Sequence, residues 1–266
     1  MPLPFFDRRP RVAVIRMSGV IAARATGLGG PGLSAAGLAP VLERAFGLKR
    51  LAGVVLAINS PGGSPVQSSL IAARIMRLAD EKEVPVIACI EDAGASGGYW
   101  IACAADEIVC DPASITGSIG VISQGFGFQE AIERLGVERR VVTAGENKSF
   151  LDPFLPPDPS QQERLHQLLD TLHEEFKDWV RSRRASRLKA PESEVFSGRF
   201  WTGREAVALG LADRLGDLHG EIERRFGKEA KIVWLNIRRP RWPGRLSSAA
   251  VGATLEILAE RSARAR

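Results

Sequence analysis

The chain has 266 residues, 45% of them hydrophobic and 25% charged, a composition typical of a globular protein with a sizeable core. Its formal net charge of +5 is uneven, because residues 224–266 carry nine Arg and two Lys against three Glu. No run of about 18 apolar residues occurs, which predicts no membrane-spanning helix. The N-terminus also lacks the layout of a signal peptide.

The basic terminal segment, with Trp234 and Trp242, is suited to peripheral contact with an anionic membrane, although a solvated arginine-rich face is the simpler interpretation. Nothing resembles a zinc finger or an RNA-binding motif, so no nucleic-acid partner is expected. Cys89, Cys103 and Cys110 lie in apolar surroundings and are odd in number. They predict buried, reduced thiols and a cytoplasmic location, at most peripheral to a membrane.

Apolar, β-branched runs alternate with helical patterns through the first half of the chain. The predicted strands are residues 11–15, 54–58, 84–90, 107–110, 118–122 and 140–143. The predicted helices are one capped by Ser34 that runs to about residue 46, and residues 67–80, 99–105 and 129–135. Because each strand is almost wholly apolar, we expect an α/β fold with a largely parallel sheet covered on both faces.

The second half is predicted to be mainly helical. After a proline-rich loop, a long helix begins at Ser160 with Glu163 in a capping box, and its apolar stripe predicts packing on its own domain or on a partner subunit. A helix over 201–211, a strand over 231–236 and an amphipathic helix over 246–264 follow. We expect a catalytic domain over 1–226, with a core at about 11–150 and a helical or oligomerisation part at about 160–226, and a basic C-terminal unit over 227–266.

Two glycine-rich turns, Pro61-Gly62-Gly63 and Gly94-Ala95-Ser96-Gly97-Gly98, each follow a predicted strand. In a parallel sheet both then lie at the edge where ligands gather. Ser96 stands between a strand and a helix start, where glycines permit a sharp turn and helix N–H groups face a developing oxyanion. The pentapeptide fits a nucleophile and an ordinary helix cap about equally well.

A serine nucleophile needs a base. His166, His173 and His219 fit neither a hydrolase order nor a metal motif, and surface or stripe-edge positions are the simpler interpretation. Lysine acts as a base when burial lowers its pKa, whereas arginine does not deprotonate. Lys148, in the loop after Thr143, is a candidate base, although a loop lysine is more often solvated.

Five motifs in sequence order resemble peptidase family S49, which includes signal peptide peptidase A, protease IV and SohB-like proteins. The resemblance runs from about residue 11 to residue 226. Its motifs are Ser60-Pro61-Gly62-Gly63, Ala95-Ser96-Gly97-Gly98-Tyr99, Ala105-Asp106-Glu107-Ile108, Thr116-Gly117-Ser118-Ile119-Gly120-Val121, and Gly198-Arg199 with Trp201-Thr202-Gly203.

The resemblance implies a crotonase/ClpP-like spiral of β-β-α units and a Ser/Lys dyad, with Ser96 as nucleophile and Lys148 as general base. It places the base-orienting serine at Ser118 and one backbone oxyanion donor at Gly63; Gly97 is a second donor on geometric grounds. It further implies a homo-oligomeric ring or dome, peptide substrates such as cleaved signal peptides, and no cofactor or metal.

Better-known members of the family carry an N-terminal membrane anchor. None is expected in this sequence, so cytosolic peptides are an alternative to signal peptides as substrates. Two alternatives stay open. One is a crotonase-type acyl-CoA enzyme, which would hold a thioester enolate with two backbone N–H groups and would not need Ser96 or Lys148. The other is an inactive membrane-associated scaffold on the same fold, against which the intact set of Ser96, Ser118 and Lys148 argues.

Overall fold

Eight strands form one mixed sheet in the computed structural model, which describes residues 9–23, 32–145 and 147–237. The strands are β1 (Arg11–Ser18), β2 (Leu51–Ser60), β3 (Val86–Ala95), β4 (Glu107–Cys110), β5 (Ile115–Gly117), β6 (Phe200–Thr202), β7 (Arg214–Leu215) and β8 (Lys231–Leu235). Their main order is β6-β5-β3-β2-β1-β8, with β4 joined to β3 and β7. All pairings are parallel except that of β5 with β6.

Helices cover the sheet unequally on its two faces. They are α1 (Ala35–Phe46), α2 (Pro65–Lys82), α3 (Gly97–Ala102), α4 (Gln129–Arg134), α5 (Pro159–Arg184), α6 (Glu192–Val195), α7 (Gly203–Leu209) and α8 (Leu218–Phe226). The larger core lies on the face covered by α1, α2, α3 and the C-terminal half of α5, and a smaller one lies beneath α8. None of the helices in the described ranges is long and apolar enough to cross a membrane.

Strand β3 forks the sheet. Its first half, Ile87–Ile90, pairs with β4, whereas its last three residues pair with β5. The alternation of buried strands with helices follows the sequence pattern and confirms the predicted α/β class with a largely parallel sheet. The fork brings the carboxyl end of β3 between β2 and β5, which is where the site forms.

Several local predictions are wrong. Residues 118–122 and 140–143 are not strands; the strand lies earlier, at Ile115–Gly117. The long helix begins at Pro159 because Asp158, not Ser160, accepts the first free backbone N–H. The helix predicted from residue 201 starts at Gly203, after Thr202, whose side chain forms a capping box with Glu205. The terminal helix predicted over 246–264 lies outside the described residues.

Residues 121–145 and 147–158, here called the arm, pack little against the rest of the chain. Helix α4 within the arm buries none of its residues. Large apolar side chains of the arm are more than a third exposed, and Val142 is completely so. These side chains are Ile122, Phe126, Phe128, Leu135, Val137, Val141, Val142, Leu151 and Leu155. The arm adjoins the first half of α5, where Leu168 and Leu172 are also exposed.

Two ionic clusters hold the helical part to the sheet. Buried Arg184 of α5 donates to Asp213 (2.8 Å), whose carboxylate also accepts from the N–H of Ile108 in β4 (2.7 Å). On the other face, buried Glu221 of α8 accepts from Arg214 and Arg224. Glu221 is buried and Asp213 is partly buried, and both are paired, as charges removed from water must be.

Candidate active site

Ser96 occupies a sharp turn between β3 and α3. Its backbone has φ 51° and ψ −121°, a conformation that costs a non-glycine residue about 1–3 kcal/mol and persists only where neighbours impose it. Its side chain makes no capping hydrogen bond to α3, although it precedes the helix directly, and it is half-buried rather than enclosed. The geometry therefore favours an accessible hydroxyl over a structural cap.

Gly62 and Gly63 of the first glycine-rich turn lie against the elbow. A Cβ on Gly62 would lie 2.7 Å from the Cβ of Ser96 and 2.8 Å from the N of Gly97, and a Cβ on Gly97 would lie 3.3 Å from the N of Gly63. Neither N–H of Gly63 and Gly97 has a hydrogen-bond partner within the part of the chain that the structure describes. The fold therefore brings two unpaired backbone donors together beside Ser96, as an oxyanion hole requires.

The orientation of the Gly63 peptide has a local cause. Gly62 O accepts from the N–H of Ile21 (2.9 Å) and Ser64 N–H donates to Ile21 O (2.8 Å), so the intervening Gly63 N–H points away from Ile21. The buried Ser60 hydroxyl donates to Gly19 O and accepts from Gly62 N–H, which fixes the entry to the turn.

Ser118 is joined to Ser96 through one peptide unit. The carbonyl of Gly117 accepts from the N–H of Ser96 (2.8 Å), and the N–H of Ser118 in the same peptide donates to Arg199 O (2.7 Å). Ser118 also has a positive φ of 51°. Two strained serines therefore share a peptide that is held on both sides, and the predicted nucleophile and the predicted base-orienting residue lie in adjoining backbone.

Helix α5 packs on the elbow helix. Trp100 of α3 stacks on Phe176, with ring centroids 4.8 Å apart, and Trp179 donates to the Trp100 carbonyl (2.9 Å). Arg183 donates to the carbonyl of Cys103 just after α3 (2.9 Å), and Tyr99 donates to Leu211 O (2.8 Å). The helix that carries the elbow is therefore anchored along its length.

Lys148 lies apart from these residues. It is exposed in a turn of the arm, where its N–H donates to Gly145 O (3.2 Å), and the crevice beside it is lined by arm residues only. Within the described ranges its Nζ has no hydrogen bond or ion pair, so no such bond joins it to Ser96 or Ser118. Hydrogen bonds and close approaches thus link Ser96, Ser118, Gly63 and Gly97, whereas no hydrogen bond between described residues links Lys148 to them.

Sequence reasoning missed the residues that hold the site. Ser60 and Thr116 are buried, and Thr116 donates to Gly94 O (2.8 Å) beside the elbow. Both residues lie in motifs of the S49 resemblance, and that position is the sequence feature that could have indicated their role. His173 is half-buried, which fits the predicted stripe edge, but the sequence does not predict that its Nε2 bonds Ile119 O at 3.0 Å. No local pattern distinguishes it from His166, which is exposed on the same helix.

Comparison with known proteins places this geometry in a family. The sequence model of peptidase family S49 matches residues 79–231, more than half of the chain. The chain is 46% identical over 239 residues to a Brucella abortus protein named Na(+)/H(+) antiporter NhaA, a match that covers 90% of this chain and 32% of that protein. It is 32% identical over 217 residues to the chloroplastic serine protease SPPA of Arabidopsis thaliana, covering 80% and 32% of the two chains. Protease 4 of Haemophilus influenzae is 30% identical over 189 residues, covering 70% and 30%.

The chain thus spans about a third of the length of each of these relatives. Among solved structures, the 1510-N membrane-bound stomatin-specific protease, in a mutant form bound to a substrate peptide, is similar with a TM-score of 0.45 and 12% identity. That likeness covers 93% of this chain and 99% of the other. The matched residues 79–231 include Ser96, Ser118, Lys148 and the whole of α5. The chain therefore belongs to peptidase family S49.

Proposed function

We propose that the chain is a serine endopeptidase that uses a Ser/Lys dyad, Ser96 and Lys148, on short apolar peptides such as cleaved signal peptides. The observation that carries the proposal is the strained, uncapped Ser96 beside two unpaired N–H groups, those of Gly63 and Gly97. Strain of this kind is retained where it serves a site, and free donors next to a nucleophile suit an acyl transfer.

In the proposed reaction Lys148 accepts a proton in one step and returns it in the next. The deprotonated Lys148 amine takes the proton of the Ser96 hydroxyl as its oxygen attacks the substrate carbonyl, and the N–H groups of Gly63 and Gly97 hold the oxyanion. Lys148 then gives that proton to the leaving amine, and the peptide C–N bond breaks. Water, activated by the same amine, hydrolyses the acyl-enzyme and restores Ser96.

We further propose that a neighbouring copy of the chain completes the site. Lys148 is exposed on the arm, in a crevice lined by arm residues, and the arm presents a run of large apolar side chains to solvent. Exposed apolar surface of this extent is typical of a surface that binds another protein. In a ring or dome, one arm that covers a neighbour's elbow brings Lys148 to Ser96 and buries both.

Substitution of each dyad residue tests the chemistry. We expect purified Ser96→Ala and Lys148→Ala to lose hydrolysis of an apolar peptide, and Ser96→Ala to lose labelling by a fluorophosphonate. Ser193→Ala and Lys189→Ala, at exposed positions outside the site, are the matched controls and should retain both. Normal hydrolysis by Lys148→Ala would contradict the dyad, and a wild-type chain that is neither hydrolytic nor labelled would favour the acyl-CoA or scaffold alternatives.

Mixing the two inactive variants tests the assembly. If neighbours complete each site, co-refolded Ser96→Ala and Lys148→Ala chains regain part of the wild-type rate, because some sites combine an intact Ser96 with an intact Lys148 from the next chain. Light scattering should show one oligomer for both variants. A mixture that stays inactive while forming that oligomer would show that the dyad is completed within one chain.

A further inference from the structure

We propose that His173 is a positioning residue that fixes Ser118 for its partner lysine, an inference that rests on the proposed Ser/Lys peptidase function. His173 lies on α5, and its Nε2 is 3.0 Å from the carbonyl oxygen of Ile119, the residue after Ser118. A carbonyl only accepts, so Nε2 carries the proton of this bond. The ring is half-buried, which shields the bond partly from water.

The backbone around Ser118 needs such support. Gly117 and Ser118 have φ values of 84° and 51°, so the chain turns through a left-handed conformation that a serine adopts only under constraint. The strand β5 ends at Gly117, and no regular ladder continues beyond it. The peptide before Ser118 is held by Ser96 and Arg199. On the far side the Ser118 carbonyl accepts, among the described residues, only from Gly120 N–H two residues on (3.0 Å), whereas His173 ties the Ile119 carbonyl to helix α5.

Helix α5 is a rigid base for this contact. One turn beyond His173, Phe176 stacks on Trp100, and Trp179 donates to the Trp100 carbonyl. Trp100 N–H in turn donates to the carbonyl of Ser96 (2.9 Å). The same helix therefore contacts the nucleophile's elbow through its tryptophan pair and the Ser118 segment through His173, and it fixes the spacing of the two serines.

Loss of the His173 ring releases one side of the Ser118 turn without removing any reacting group. A displacement of about 1 Å at a positioned group costs about 100-fold in rate. We therefore expect His173→Ala to lower kcat by about 10- to 100-fold with KM nearly unchanged, since the Gly63 and Gly97 donors stay in place. The conservative His173→Gln keeps a side-chain N–H donor and should recover most of the rate.

The decisive measurement is a double-mutant cycle on peptide hydrolysis. If His173 acts through Ser118, His173→Ala made in a Ser118→Ala background should lower kcat by less than about twofold, because the group it positions is already absent. His166→Ala, two turns away on the same helix and exposed, is the control and should match wild type. Thermal unfolding of every variant separates this effect from a loss of fold.

An equal loss in both backgrounds, an unchanged His173→Ala, or a His173→Gln that stays as slow as the alanine variant would each overturn the proposal. A readout independent of activity is the ring itself: nitrogen NMR should show the His173 proton on Nε2, and a proton on Nδ1 alone would overturn the hydrogen bond. A wild-type chain that hydrolyses nothing but shows this Nε2 proton would overturn the proposed function instead, and with it the role of His173.

Discussion

Gly62→Ala and Gly19→Ala form a matched pair that separates backbone strain from damage to the elbow. The two glycines have φ values of 105° and 109°, so alanine is strained to a similar degree at both, by about 1–3 kcal/mol. They differ in the room that is available for an added methyl group. A Cβ on Gly19 meets nothing within 4 Å, whereas a Cβ on Gly62 would lie 2.7 Å from Ser96 Cβ.

The magnitude follows from that contact. Carbon atoms in ordinary contact are about 3.5–4 Å apart, so Ser96 must retreat by about 1 Å to admit the methyl group. A shift of this size costs about 100-fold in rate, which corresponds to about 2.7 kcal/mol in the activation free energy. We expect kcat/KM to fall at least that far in Gly62→Ala and by less than about threefold in Gly19→Ala.

Peptide hydrolysis and thermal unfolding are measured on both variants. Each should lower Tm, by about 2–4 °C per kcal/mol of strain for a chain of this size. If Gly62→Ala unfolds at the same temperature as Gly19→Ala and hydrolyses peptide at the wild-type rate, Ser96 is not the reacting group at this elbow. Equal loss of activity in both variants would show that the effect comes from strain alone.

Three further outcomes concern stability and the thiols. Asp213→Ala leaves Arg184, 2% exposed, without its counter-charge and should lower the free energy of unfolding, measured in urea, by about 3–5 kcal/mol. Glu43→Ala, which removes a surface ion pair, should lower it by less than about 1 kcal/mol. Similar losses in the two variants would contradict a special role for the buried pair. Burial alone would raise the pKa of Glu221, but hydrogen bonds from its two arginines lower that pKa to about 2. The stabilisation from this carboxylate is therefore complete above its unfolded pKa of about 4.3 and is lost as the pH falls toward 2. Glu221→Gln should flatten the dependence of the unfolding free energy on pH in that window, and an unchanged slope would refute the assignment. A thiol reagent at pH 8 should react slowly with the native chain and with all three cysteines after unfolding, and fast native reaction would contradict their burial. Burial raises the pKa to about 12 for Cys89 and Cys103 and to about 11 for Cys110.

The sequence predicted the parts of the fold that local physics controls. Apolar runs such as Val54–Ile58 lie within buried strands, Ser34 caps α1, and the three cysteines are buried and free. Errors arose where long-range contacts decide. Residues 118–122 are apolar enough for a strand, but the turn at Gly117 and Ser118 ends the pairing of strand β5. The propensities of neighbouring residues do not predict that turn.

The residues of the site likewise divide into those that local sequence predicts and those that depend on distant contacts. Gly63, Ser96 and Gly97 were predictable because strand, glycine turn and helix start are adjacent in sequence, and parallel strands place such turns at one edge. The Ser118 contact depends on Arg199 and His173, which lie 81 and 55 residues away along the chain. The pairing of Lys148 with Ser96 stays a prediction, since no hydrogen bond links the two residues within the described chain.

The arm has a consequence for how relatives of this chain diversify. Because α4 buries nothing and the sheet that carries Ser96 is completed without it, substitutions in the arm leave the core's folding free energy almost untouched. On the proposed function, a relative's arm that keeps Lys148 could therefore be grafted onto this scaffold without unfolding the core. Such a graft would change the surface that the arm offers to a neighbouring chain and leave the elbow at Ser96 as it is.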